Sequence, residues 1–94
     1  MGLYLTIPEV VESEEFVSLS ADADRVTFRL VLELTQTATH LIRACEIGQN
    51  IPLVVLTTDA QILALDSVYV ADFSTNDQQP YVQVTLQAQE VRFV

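Results

Sequence analysis

The sequence predicts a mainly β domain: a small antiparallel β-sandwich or barrel of about six strands with one short α-helix. Three observations predict it. Most of the chain alternates apolar and polar residues with the period of two that a half-buried strand requires, most clearly from Val26 to Leu34. One segment, Thr37 to Gly48, switches to helical spacing and stops at a glycine. Half of the 94 residues are hydrophobic, so a core can form without disulfides or metal, and the length fits a single domain spanning 1–94.

The elements follow in order. Leu3, Leu5 and Ile7 alternate with Tyr4 and Thr6, and Pro8 ends this first strand. A second short strand is expected from Glu15 to Leu19, with Phe16 out of phase with Val17 and Leu19. Ser20 to Arg25 (SADADR) reads as a polar loop. In the next strand Val26, Phe28, Leu30, Leu32 and Leu34 share the core face, while Arg29 and Glu33 mark the other face as wet. Thr37 or Thr39 is the expected helix cap, because a threonine hydroxyl accepts a bond from an unpaired backbone N–H. Ala38, Leu41, Ile42 and Cys45, spaced i, i+3, i+4 and i+7, form the stripe that should face the core, with Arg43 and Glu46 outward. Gly48 supplies the left-handed stop. A helix of about 9–11 residues is unstable alone, so it must pack on the sheet.

Beyond the helix, Leu53 to Thr58 reads as a fully buried strand and Thr58 to Gln61 as a turn. Ile62 to Phe73 is one long strand with Leu63, Leu65, Val68, Val70 and Phe73 inward. Its phase changes at Asp66-Ser67, the mark of a bulge or bend. Ser74 to Pro80 (STNDQQP) reads as a loop. Finally Val82, Val84, Leu86 and Ala88 alternate with Gln83, Thr85, Gln87 and Gln89, and the phase reverses at Glu90 to give Val91 and Phe93.

Composition excludes several functions. Thirteen acids stand against four arginines and no lysine, a net charge of −9. Such a surface repels phosphate backbones, so no nucleic-acid partner and no anionic membrane surface is expected. The acids gather at Glu9, Glu12, Glu14 and Glu15 and at Asp22 with Asp24. The second pair matches only the first half of a calcium loop, without its glycine or terminal glutamate, so calcium is rejected. No apolar run exceeds five residues, against the roughly 20 needed to span a bilayer, so no membrane insertion is expected. The N-terminus lacks the basic start and hydrophobic stretch of a signal peptide. A cytoplasmic protein is expected, or one secreted without a cleaved signal, or a component of a phage particle.

Nothing in the chain points to catalysis. The single cysteine, Cys45, allows no internal disulfide and reads as a small buried hydrophobe. The only histidine, His40, lies five positions away, about 140° around the helix, so no Cys–His pair forms. There is no Ser/His/Asp set, no glycine-rich phosphate loop and no metal-spaced histidines. No cofactor and no metal site is expected, and the protein is read as a non-enzyme.

Assembly is the stronger signal. Gln83, Thr85 and Gln87 form an uncharged polar stripe on a long strand that carries no lysine, the usual blocker of edge-to-edge pairing. Leu3, Leu5 and Ile7 would offer a second edge, and Arg43 and Glu46 an outward helix face. A domain this small buries only about 60–65% of its unfolded surface, so self-association would add stability.

The run Thr39-His40-Leu41-Ile42-Arg43-Ala44-Cys45-Glu46-Ile47-Gly48-Gln49-Asn50-Ile51-Pro52, followed by Val54-Val55-Leu56, resembles the helix-to-strand segment of the haemolysin-coregulated protein family. Those proteins are tube subunits of type VI secretion systems, with relatives among contractile phage tail tubes. Tyr81-Val82-Gln83-Val84-Thr85-Leu86 is similar to the family's "Y-L-K-I-T-L" strand, and the opening from Leu3 to Ser13 resembles its first motif. The resemblance implies a structural domain that self-assembles as a homo-oligomer, into a ring or stacked tube. The competing reading is a small acidic protein-interaction module (an inhibitor, immunity protein or adaptor) that engages a basic protein partner.

Overall fold

The alternating strands close into an antiparallel barrel. The computed structural model describes residues 3–9, 13–76 and 78–94; Val10 to Glu12 of the opening segment and Asp77 of the expected loop lie outside the described residues. In chain order the elements are β1 (Leu3–Thr6), β2 (Ser13–Ala21), β3 (Thr27–Glu33), α1 (Gln36–Ile47), β4 (Ile51–Thr57), β5 (Ile62–Asn76) and β6 (Gln79–Phe93). Around the barrel they run β1-β2-β3-β6-β5-β4, and β1 pairs with β4 to close the circle. Sandwich and barrel were both open from the pattern. The closure decides for the barrel, because a closed sheet leaves no edge strand.

The period of two does the sorting. Leu30 and Leu32 of β3, Val54 and Leu56 of β4, and Val84 and Leu86 of β6 are buried, as are Leu5 and Ile7 near the N-terminus. Each such side chain contributes about 1.5–3 kcal/mol on leaving water. Leu34, grouped above with the core face of β3, is instead exposed: the strand ends at Glu33 and the chain turns off toward the helix. In β4 only Ile51, Val54 and Leu56 are buried, while Leu53 and Val55 are half-covered, so this strand is two-sided rather than fully buried.

β2 is longer than expected because a bulge resets its phase. The register with β3 shifts between Phe16 and Ser18, which lets Phe16 and Leu19 both face inward and turns Val17 out. The SADADR tract is mostly strand and turn. Arg25 takes the left-handed conformation at φ 63, and Asp24 accepts bonds from the backbone N–H groups of Val26 and Thr27 and from the Thr27 hydroxyl. Asp22 pairs with Arg29. Both acids therefore serve the β2–β3 turn.

α1 is capped two residues before the nearer of the two expected threonines. Its N-cap is Thr35, whose hydroxyl accepts from the Ala38 N–H at 3.5 Å, and not Thr37 or Thr39. Thr39 donates its hydroxyl to the Thr35 carbonyl, and Thr37 is buried with an unpartnered Oγ1. Gly48 ends the helix at φ 67, its N–H bonded to the Cys45 carbonyl while the Gln49 N–H reaches Ala44. The buried stripe is Thr37, Ala38, Leu41 and Ala44; Ile42 and Cys45 lie at its margin, half-covered against the core. The helix is rolled slightly from the expected stripe, so that Thr37 and Ala44 face inward with Ala38 and Leu41. α1 packs mainly on β5, which continues past the point where Ile51 of β4 pairs with Val68.

β5 and β6 form one long hairpin that replaces the expected loop: strand pairing reaches Asn76 and resumes at Gln79. Both strands reverse phase at the same level. Leu65 pairs with Val91 and Val68 with Ala88, and between them Asp66-Ser67 and Gln89-Glu90 carry the switch. Ser67 adopts φ 51, a left-handed kink in mid-strand. Among the described residues, no helix is long and apolar enough to cross a membrane.

Candidate assembly surfaces

The residues singled out for assembly fall in three separate places. Leu5 and Ile7 are wholly inside the barrel, and Leu3 packs against the core, so their side chains offer nothing to a partner. The barrel also removes the expected edges: β1 lies between β2 and β4, and β6 between β3 and β5. Edge-to-edge pairing through β1 or through Tyr81–Ala88 is therefore not available. The alternation was read correctly, but closure is a property of the whole sheet that one strand's pattern does not contain.

Gln83, Thr85 and Gln87 occupy the outer face of β6, in the middle of a three-strand surface. Val31, Gln83 and Ser74 form one cross-strand row; Arg29, Thr85 and Asp72 form the next; Thr27, Gln87 and Tyr69 form a third. This face carries hydroxyl and amide groups with few charges. The guanidinium of Arg29 is turned to Asp22 at the sheet margin.

Arg43 and Glu46 are exposed on α1 as expected. Arg43 belongs to a second helical stripe, with His40 and Ile47 at i−3 and i+4, bordered by the buried Ala44. Together with Gln49 these residues line a concavity of about 240 Å³. Ile47 stands 61% exposed on it. Among the described residues Arg43 makes no ion pair, Glu46 included.

Two further surfaces were not anticipated. On β2 and β3, Glu14, Glu15, Val17 and Glu33 surround a shallow concavity of about 430 Å³, with Val17 57% exposed. The β2 bulge creates it by turning Val17 outward; the sequence shows Phe16 out of phase with Val17 and Leu19 but not which of them leaves the core. At the end of the barrel away from the helix, Leu19, Phe28, Leu63, Val91 and Phe93 line an apolar groove of about 240 Å³.

The resolved electrostatic shifts are local and structural. Arg92 donates to Asp66 through Nε at 2.7 Å and through a terminal nitrogen at 3.1 Å. That bidentate bond holds the Asp66 carboxyl below its ordinary pKa and raises that of Arg92. Asp24 is likewise lowered, first by the bond from the Thr27 hydroxyl. Among the described residues no three His, Cys, Asp or Glu side chains gather where they could hold a metal ion.

The fold and these surfaces define a class: a closed six-stranded antiparallel barrel whose one helix is inserted between the third and fourth strands and seated on the fifth. Solved members of that class are similar to this chain from end to end. Hcp2 from Salmonella typhimurium superposes with a TM-score of 0.83 at 15% identity, covering 99% of this chain and 85% of that one. Hcp1 from Salmonella typhimurium gives 0.76 at 14% identity, over 97% and 84%. A type VI secretion system effector from Yersinia pestis gives 0.76 at 12% identity, over 95% and 85%. No family model and no curated protein matches the chain by sequence. The likeness is one of fold, and it is the fold that the helix-to-strand segment led us to expect.

Proposed function

We propose that this chain is a structural, non-enzymatic subunit that assembles with copies of itself into a ring or stacked tube, in the manner of secretion and phage tail tubes. The observation that carries the reading is the superposition of 99% of the chain on Hcp2 at a TM-score of 0.83. The exposed apolar groups on different elements, Val17 and Ile47 among them, support it, since a free monomer gains nothing by leaving them in water.

Charge sets the conditions for the test. Two subunits of net charge −9, with centres about 30 Å apart as the 35 × 31 × 29 Å extents dictate, repel by about 4 kcal/mol at 0.01 M salt and by under about 0.5 kcal/mol at 0.15 M. Assembly is therefore expected to strengthen from low to moderate salt. Sedimentation at roughly 100 μM protein, where mass action favours association, measures it directly. A particle of several subunits in moderate salt, ring-shaped in electron micrographs, is the expected result. A 10.5 kDa monomer in both salts would overturn the reading and favour an acidic module for a basic partner.

A further inference from the structure

Two of the surfaces described above are complementary, and they are carried on different elements, β2–β3 and α1. β2, which carries Glu14, Glu15 and Val17, is three strands from β5 whichever way the cycle β1-β2-β3-β6-β5-β4 is followed. α1, which carries His40, Arg43 and Ile47, is seated on β5. One surface is a concavity with an exposed valine ringed by carboxylates; the other is a helix stripe with an exposed isoleucine beside a guanidinium. Within its own chain that guanidinium makes no ion pair with a described residue.

We propose that the His40–Arg43–Ile47 stripe of one copy docks into the Glu15–Val17–Glu33 concavity of the next. The contact deepens the assembly reading above and rests on it. Its chemistry has two parts. Val17 and Ile47, each more than half exposed in the single chain, cover one another and leave water. Around them Arg43 meets carboxylates that make no ion pair with a described residue, which fixes the register and rejects a docking of like surface on like surface. The two surfaces differ and share no residue, so the contact is head to tail. Each bound copy still presents one free concavity and one free helix, and growth ends only when a ring closes.

This geometry makes a specific demand on mixtures. Val17→Asp spoils the concavity and leaves the helix stripe intact; Ile47→Asp does the reverse. Both sites are on the surface, and circular dichroism checks that each variant is folded. Where Ile47→Asp lowers helix content, Arg43→Glu replaces it. In sedimentation at moderate salt, the wild-type chain is expected to run as a multi-subunit particle and each variant as a monomer. The equimolar mixture of the two variants is expected to form a 1:1 dimer, twice 10.5 kDa, and nothing larger, because only one good contact can be made per pair. If wild type assembles and either variant assembles as well, or if the mixture stays monomeric or regains the full particle, the proposed contact is wrong while the assembly reading stands. If wild type is itself a monomer, both fall together.

Discussion

The two ends of the barrel are finished differently. At one end α1 bridges from β3 to β4, buries Thr37, Ala38, Leu41 and Ala44, and closes with a glycine whose neighbours bond back into the last turn. At the other end the strands simply stop. Leu19, Phe28, Leu63 and Val91 line a groove, and Phe93 remains 73% exposed beside it. The first end is completed by the chain itself. The second leaves apolar area in water that only something outside the chain could cover. The helix end should therefore add stability through its own buried contacts, while substitution of the exposed residues of the open end, Phe93 above all, should be felt weakly.

The hardest test of that contrast is Leu41→Ala, which removes a side chain with no solvent exposure from the helix–barrel contact and should cost about 2–4 kcal/mol in urea unfolding. A loss under 1 kcal/mol would mean that the helix contributes little to closing its end. Gly48→Ala comes next. A Cβ there meets nothing within 4 Å, so its cost is the left-handed backbone alone, about 1 kcal/mol. Thr37→Val should act in the opposite direction. The threonine hydroxyl is buried without a partner, and replacing it with a methyl of the same shape should raise stability by up to about 1 kcal/mol. A destabilised Thr37→Val would show that the hydroxyl is satisfied in solution.

At the open end, Phe93→Ala should move the midpoint by under about 0.5 kcal/mol. A larger loss would place the groove among the stabilising parts of the barrel and erase the contrast. The smallest effect concerns Asp66, bound by Arg92 just inside that end. Its folded pKa lies below the unfolded value, so its contribution is complete above that value and fades as pH falls through the folded one. Melting temperatures of wild type and Asp66→Asn should differ near neutrality and converge below about pH 4. Equal separation across the whole range would show that the carboxylate charge plays no part.

Much of this architecture was legible from residue order. β3 and β6 alternate so regularly that their inner faces could be named one by one, and the phase changes at Asp66-Ser67 and Glu90 announced the bend in the long hairpin. Gly48 marked the helix end because a positive φ excludes most other residues. What the pattern concealed depends on contacts between distant segments. Thr35, Thr37 and Thr39 are chemically equal as caps, and only the exit of β3 decides among them. Val17 and Leu19 look alike until the bulge turns one outward. Leu3, Leu5 and Ile7 read equally well as an edge or as a barrel stave, and the pairing of β1 with β4 settled which.

The paired phase reversal in β5 and β6 has a consequence for how the longest hairpin finds its alignment. In an ordinary ribbon a slide of two residues keeps every inward side chain inward, so such an error is cheap. Here the kink at Ser67 and the switch at Gln89-Glu90 lie opposite one another, like a tooth and its notch. A slide of two would part them, so the two strands would no longer change phase at the same level. The hairpin is keyed: its 15-residue strands change phase together at one setting of the ladder, and the residues that look like interruptions of the pattern mark that setting.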